Sequence, residues 1–222
     1  MSYIWNEFNI KTFPAETIVF RDGEYCPELS TLENAPINKK YNLPVHIIYV
    51  GEIYGDKNLD ISVGAENQEV ILSVNLKIKK PAFLNIFIKN AGKNSKITGN
   101  VFIENYSELT YNCDANHISS DTDIFIKNKI WAGKNSKSVL SGIAQINKNC
   151  ENCGSDLSFT AMTEQGAKID FMPAQKIYSI PKQADHSASI FEPTDSQIQY
   201  LRQSGLGILE IKDVTKEAFL NE

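Results

Sequence analysis

Four cysteines and three histidines are the residues of this 222-residue chain best suited to metal or thiol chemistry. Cys150-Glu151-Asn152-Cys153-Gly154 is a CxxC knuckle. Two thiolates at that spacing can clamp one soft metal, while the glycine lets the backbone turn beneath the sulfurs. A closed site needs two more donors, and Cys113 with His117 is the available pair, giving three sulfurs and one imidazole. The competing assignment makes the knuckle cysteines small apolar residues of a turn that holds no metal. A thioredoxin-type redox role lacks the βαβ surroundings it needs. His46 lies in the apolar run Pro44-Val45-His46-Ile47-Ile48 and is expected as a core or edge histidine. His186 differs. It sits in the small, polar stretch Gln183-Ala184-Asp185-His186-Ser187-Ala188-Ser189, where an imidazole flanked by Asp185 can ligate a metal or shuttle a proton.

Other chemistry is thinly represented. No phosphate-binding GxxxxGK[ST] loop, dinucleotide GxGxxG, GxSxG elbow or HExxH helix occurs. Asp121 and Asp123 resemble the acidic pairs that β-helix polysaccharide-cleaving enzymes use to bind calcium or as acid and base. A turn-forming, solvated pair is the better explanation of them. The net charge of -5 disfavours a polyanion binder, and only Arg21 and Arg202 offer the bidentate fork that phosphate and guanine edges prefer. The N-terminus alternates apolar and polar residues, and Pro44–Gly51 is too short to span a bilayer, so a cytoplasmic location is expected.

The elements that must position these groups are strands. From Leu43 to about Ile190, apolar residues fall at every second position, as in Val70-Leu72-Val74-Leu76-Ile78 and Ile124-Ile126, with Gly/Asn turn clusters between the runs. The hexapeptide Ala-Gly-Lys-Asn-Ser-Lys occurs at 91–96 and again at 132–137. A period near 40 without helical spacing fits a parallel β-helix with coils of about 20 residues, which puts the two copies two coils apart at one corner. The 21 asparagines suit the turns of such a fold, although base composition accounts for them as well. Residues 1–42, with Pro14, Pro27 and Pro36, read as an irregular lead-in with short strands such as Thr17–Phe20. After Ile190 the pattern turns helical. Thr194-Asp195 can cap a helix carrying Ile198 and Leu201 that stops at Gly205, and Val214–Leu220 reads as a second helix, capped by Asp213 or Thr215. The expected plan is all-β: a right-handed parallel β-helix over 43–190 with a short helical tail over 191–222.

The closing third carries a resemblance. Pro173-Ala174-Gln175-Lys176-Ile177, then Ala184-Asp185-His186-Ser187-Ala188-Ser189-Ile190, then Gln199-Tyr200-Leu201-Arg202-Gln203-Ser204-Gly205-Leu206 resemble the end of the β-helix and start of the tail in the SufB/SufD family. These are scaffold subunits of SUF iron–sulfur cluster assembly. Gly142-Ile143-Ala144-Gln145-Ile146 looks like an earlier coil of that family. The chain departs from the pattern in several places. It has no counterpart of the helical N-terminal domain of full-length members, Ser204 replaces a usual arginine, and Ser187 rather than glutamate follows the histidine. No cysteine follows Gly154. These departures make it closer to the SufD-like branch.

The resemblance implies a parallel β-helix and a role as scaffold or accessory subunit rather than enzyme. It carries over His186 as a candidate ligand at a subunit interface, with Asp185 as a neighbour that orients it or replaces a ligand. It implies a transient iron–sulfur cluster or iron there and no tightly bound cofactor in the isolated chain. Expected partners are a second copy or a SufB-like paralogue, and a SufC-like ABC ATPase docked on the tail through Tyr200, Leu201, Arg202, Gly205 and Leu206. A β-helix polysaccharide-active enzyme and a solenoid binding module without cluster chemistry are the alternatives.

Overall fold

Burial along the chain alternates residue by residue, which is the signature of strands with one face on a core. The computed structural model describes residues 16–221. In it β1 (Glu16–Arg21) forms a hairpin with β2 (Glu24–Tyr25) and pairs in parallel with the long β3 (Val45–Val63). There follow β4 (Glu69–Asn90), β5 (Lys96–Asn105), β6 (Glu108–His117), β7 (Asp123–Ala132), β8 (Lys137–Ile146), β9 (Gly154–Thr163), β10 (Lys168–Ile177) and β11 (Gln183–Phe191). All ladders outside the hairpin are parallel, and from β5 onward each strand pairs with the second strand after it rather than the next. So β5, β7, β9 and β11 lie in one sheet, β6, β8 and β10 in the other, while β3 and β4 run across both. This is a parallel β-helix of about seven turns.

The core is a stack of aliphatic side chains between the two sheets. Leu72, Leu84, Ile86, Ile97, Leu140 and Leu157 are all fully buried, each burial contributing about 1.5–3 kcal/mol. Within that core the Tyr111 hydroxyl donates to Asn128 Oδ1 (2.6 Å), whose Nδ2 donates to the Ser158 carbonyl.

Coil length corrects the expectation of about 20 residues. Residues in register lie 25 to 31 positions apart: Val45 faces Val70, Lys96 faces Asp123, Asp123 faces Gly154. The 41-residue interval of the hexapeptide is therefore about one and a half coils. The first copy joins β4 to β5 and the second joins β7 to β8, so they lie at opposite edges of the solenoid, not one above the other. The physical reason is that both turns of a two-sheet coil swing the chain in the same rotational sense and need the same local backbone. Asn94 and Asn135 both take left-handed φ (55° and 59°), and Ser95 and Ser136 donate their N–H to the carbonyls of Gly92 and Gly133 (3.1 and 3.0 Å). A Cβ on Gly92 would come within 2.0 Å of the Ala65 carbonyl oxygen. Every non-glycine described residue with positive φ is Asn or Asp, which gives five asparagines (Asn67, Asn94, Asn135, Asn149 and Asn152) a structural cause.

The two ends differ. At the first coil the segment before β3 folds over the interior. Ile37 is buried in the core, its N–H donates to the Ser62 carbonyl, and Tyr25, Leu32 and Tyr41 pack beside it. At the last coil the chain leaves β11 for α1 (Asp195–Gln203), capped by Thr194 through a capping box with Gln197, and then α2 (Ile208–Asn221). The second helix begins six residues before the expected Val214, with Gly207 N–H donating to the Glu210 carboxylate rather than to Asp213 or Thr215. Its buried residues, Ile211 and Phe219, lie two turns apart on one face, and that spacing extends the helix back past Val214. The tail packs on the flank of the solenoid, Phe219 against Phe102 and Trp131, and leaves the end uncovered. Among the described residues no helix is long and apolar enough to cross a membrane.

Candidate functional site

Parallel strands in register point the same way. Ser155, Leu157, Phe159 and Ala161 of β9 face the interior and are buried; their partners on β11 are Ala184, His186, Ala188 and Ile190. Those four therefore occupy interior-facing positions of the final coil. Yet His186 and Ala188 are exposed and Ile190 is 52% exposed, because no further coil stacks on them. On β10 the residues continuing the interior columns of β8 are Ile169, Phe171, Pro173, Gln175 and Ile177. The open end is thus an apolar floor with one imidazole set into it. The side-chain Nε2 of Gln175 is buried there without a partner.

Asp185 does not share that floor. Successive residues of a strand point to opposite faces, and Asp185 lies beside Asp156 on the outside of the sheet. Its Oδ2 accepts a hydrogen bond from Gln183 Nε2 (2.6 Å). Burial, and then the charge of Asp185, pushes the Asp156 carboxyl above the ordinary carboxylate range, with Lys127 opposing. Asp185 and the His186 imidazole therefore lie on opposite faces of β11.

The knuckle residues fall into two places. Cys113 is in the interior of β6, fully buried, and burial pushes its thiol to about 12. His117, Cys150 and Cys153 meet at one corner. His117 Nδ1 lies 2.8 Å from the Thr122 hydroxyl, which is 3.3 Å from Cys153 Sγ; Cys150 donates to the His117 carbonyl (3.5 Å) and Cys153 to the Ser119 carbonyl (3.3 Å). Burial lowers the His117 ring to about 4, so it is neutral at neutral pH, and its Nε2 has no partner. Among the described residues no three His, Cys, Asp or Glu side chains lie close enough to hold one metal ion. The sulfurs instead satisfy backbone carbonyls.

Asp121 and Asp123 are both engaged in the fold. Asp121 is a left-handed turn residue accepting from Asn152 Nδ2, and Asp123 pairs with Lys182 (2.9 Å). His46 is half-buried on β3, its ring shifted below the usual value chiefly by burial, with Glu69 opposing.

In the tail, Tyr200 is 69% exposed, Arg202 is exposed, and Leu201 and Leu206 are half-buried. Leu206 donates its N–H to the Leu201 carbonyl as the chain passes through Gly205 at φ 88°. Beside them is a groove of about 680 Å³ lined by Met162, Phe191, Pro193, Ile198, Leu201 and Phe219. The sequence signal for it was the pair of aromatic residues flanking the tail, Phe191 and Phe219.

Comparison with known families gives a match over most of the chain. The model of the family described as SUF system FeS cluster assembly, SufBD core domain, matches residues 56–219, from within β3 to within α2. No curated protein matches the chain.

Proposed function

The chain belongs to the SufBD core-domain family of SUF iron–sulfur cluster assembly, and we propose that it acts there as a non-catalytic scaffold subunit that presents His186 to a cluster in transit. The observation that carries this is the exposed imidazole at an interior-facing position of the uncovered last coil. One histidine is too few ligands for a cluster, so the remaining ligands come across an interface. The open end suits that interface. Beyond β10 and β11 no described strand pairs, so both sheets end in edge strands without a strand partner beside an apolar floor. The partner is a second copy or a SufB-like paralogue.

Ser187 after the histidine, and the lack of a cysteine on β9, one coil earlier, favour the SufD-like branch. The groove beside Tyr200, Leu201, Arg202, Gly205 and Leu206 is the docking place for a SufC-like ABC ATPase, and the complex works in the cytoplasm. Affinity capture of the tagged chain from native lysate tests this. An ABC-type ATPase subunit is expected to co-purify and to be lost when Tyr200 and Leu201 are both changed to alanine. Recovery of the chain with no ATPase under native conditions would refute it.

A further inference from the structure

The turn carrying the CxxC knuckle is longer than its neighbours. Seven residues, 147–153, separate β8 from β9, against five between β6 and β7 and five between β10 and β11 at the same edge. Within those seven, only Cys150 and Cys153 are buried, packed together with Ile146 and Ala184; four of the other five are exposed. Asn149 and Asn152 hold the two bends in left-handed conformations. The turn is clamped on both sides. Below, Asp121 N–H donates to the Glu151 carbonyl and Glu151 N–H to the Ser120 hydroxyl (both 3.0 Å). Above, Asn152 N–H donates to the Ile180 carbonyl, while Lys182 and Gln183 both donate to the Cys153 carbonyl (2.8 and 3.3 Å). The Cys153 backbone thus seats the first residues of β11, three positions from His186.

We propose that Cys150 and Cys153 are a dithiol–disulfide couple whose oxidation loosens the start of β11. The oxidant is a low-molecular-weight disulfide. A thiolate of the pair attacks one of its sulfurs, forming a mixed disulfide and releasing one small thiolate. The second cysteine thiolate then attacks the mixed disulfide, closing the Cys150–Cys153 bond and releasing the other. The two protons lost by the cysteines go to the two released thiols. Burial raises the Cys150 thiol, so attack requires the turn to open; since the turn's other side chains carry little burial, that opening is local. Closure of the bond removes both S–H donors. The carbonyls of His117 and Ser119 each lose a sulfur donor and keep only Asn147 N–H (3.4 Å) and the Thr122 hydroxyl (3.0 Å), and the Cys153 carbonyl shifts beneath Lys182 and Gln183. This couple operates whether or not His186 ever meets a metal.

The test is equilibration of the intact, folded chain with glutathione at graded ratios of disulfide to thiol. Expected are a loss of two hydrogen masses in the peptide bearing 150–153, reversed by dithiothreitol, and amide exchange across Lys182–His186 at least about threefold faster in the oxidised protein. Cys153→Ala, which keeps the site apolar, abolishes both effects; Cys150→Ala does the same should the first variant fail to fold. The proposal is overturned if the folded chain keeps both thiols at ratios that oxidise the urea-unfolded chain. It is equally overturned if the bond forms and exchange across β11 is unchanged.

Discussion

Lys216 of α2 and Glu104 of β5 meet as an ion pair whose side chains are 12% and 10% exposed, well inside the seam between tail and solenoid. Glu104 also accepts from the Tyr106 hydroxyl (2.8 Å), and one helical turn earlier Lys212 pairs with Glu164 (2.7 Å). Together with Phe219 these contacts fix the helix that flanks the groove.

Removing Lys216 leaves Glu104 in the seam with the Tyr106 hydroxyl and a distant Lys77 (3.9 Å) in place of a close ammonium. Lys216→Ala is expected to destabilise the protein by roughly 2–3 kcal/mol, below the range for fully buried pairs because both groups keep some water. Limited proteolysis should then cut within α2 before the solenoid, and urea unfolding should give the loss. Replacing both partners, Glu104→Gln with Lys216→Met, should recover part of the stability. A Lys216→Ala variant with an unchanged unfolding midpoint and an uncut tail would remove the clamp from consideration.

Stability should depend on pH through His117. Its ring titrates near 4 in the folded chain and at the ordinary 6.5 when unfolded, so between those values the unfolded state binds more protons. Stability is therefore complete above pH 6.5 and declines as the pH falls toward 4, by roughly 3 kcal/mol from this residue. Urea denaturation at pH 7 and pH 4.5 measures it. His117→Asn should flatten the slope in this window; an unaltered slope would assign the acid sensitivity to other groups.

The two hexapeptide turns should respond alike to the same change. Asn94→Ala and Asn135→Ala each place a Cβ-bearing residue without a compensating side-chain amide in the left-handed region, at a cost of about 1–2 kcal/mol. Asn94→Gly and Asn135→Gly should be close to neutral. Thermal unfolding of the four variants would show whether the turns are equivalent, and a large difference between the two alanine variants would contradict it.

His186→Ala is expected to leave stability within about 0.5 kcal/mol, since the ring is exposed. It should nonetheless slow cluster transfer in an assembly reaction reconstituted with the partner subunits. A wild-type transfer rate in the alanine variant would exclude the histidine from cluster handling.

The strands were legible because half-burial writes a period of two into residues such as Val70, Leu72 and Val74, and the cap candidates Thr194 and Asp195 announced α1. Coil length was not. The repeat 91–96 and 132–137 looks like a whole number of coils, and nothing in the residues says that the two turns of one coil share a backbone. The open end was half legible. Ala184, His186, Ala188 and Ile190 alternate with Asp185, Ser187 and Ser189, so the face was written in the sequence. That the face is uncovered depends on how the tail packs, through Phe219 and Lys216, which are distant in the chain. The knuckle was misleading for a different reason. Ligand spacing says nothing about whether a sulfur has a backbone carbonyl to satisfy, and both Cys150 and Cys153 do.

The difference between the two ends of the β-helix limits what association can produce. A rod that is sticky at both ends polymerises head to tail, each added copy presenting a fresh end to the next. Here the first coil is closed by the segment that buries Ile37, and β1 is flanked by the β2 hairpin. Among the described residues the β10–β11 end is the one left uncovered, and two copies meeting there would each use up their open end. Association through those two ends would stop at two members, which would keep a chain built largely of parallel β-structure from becoming a filament.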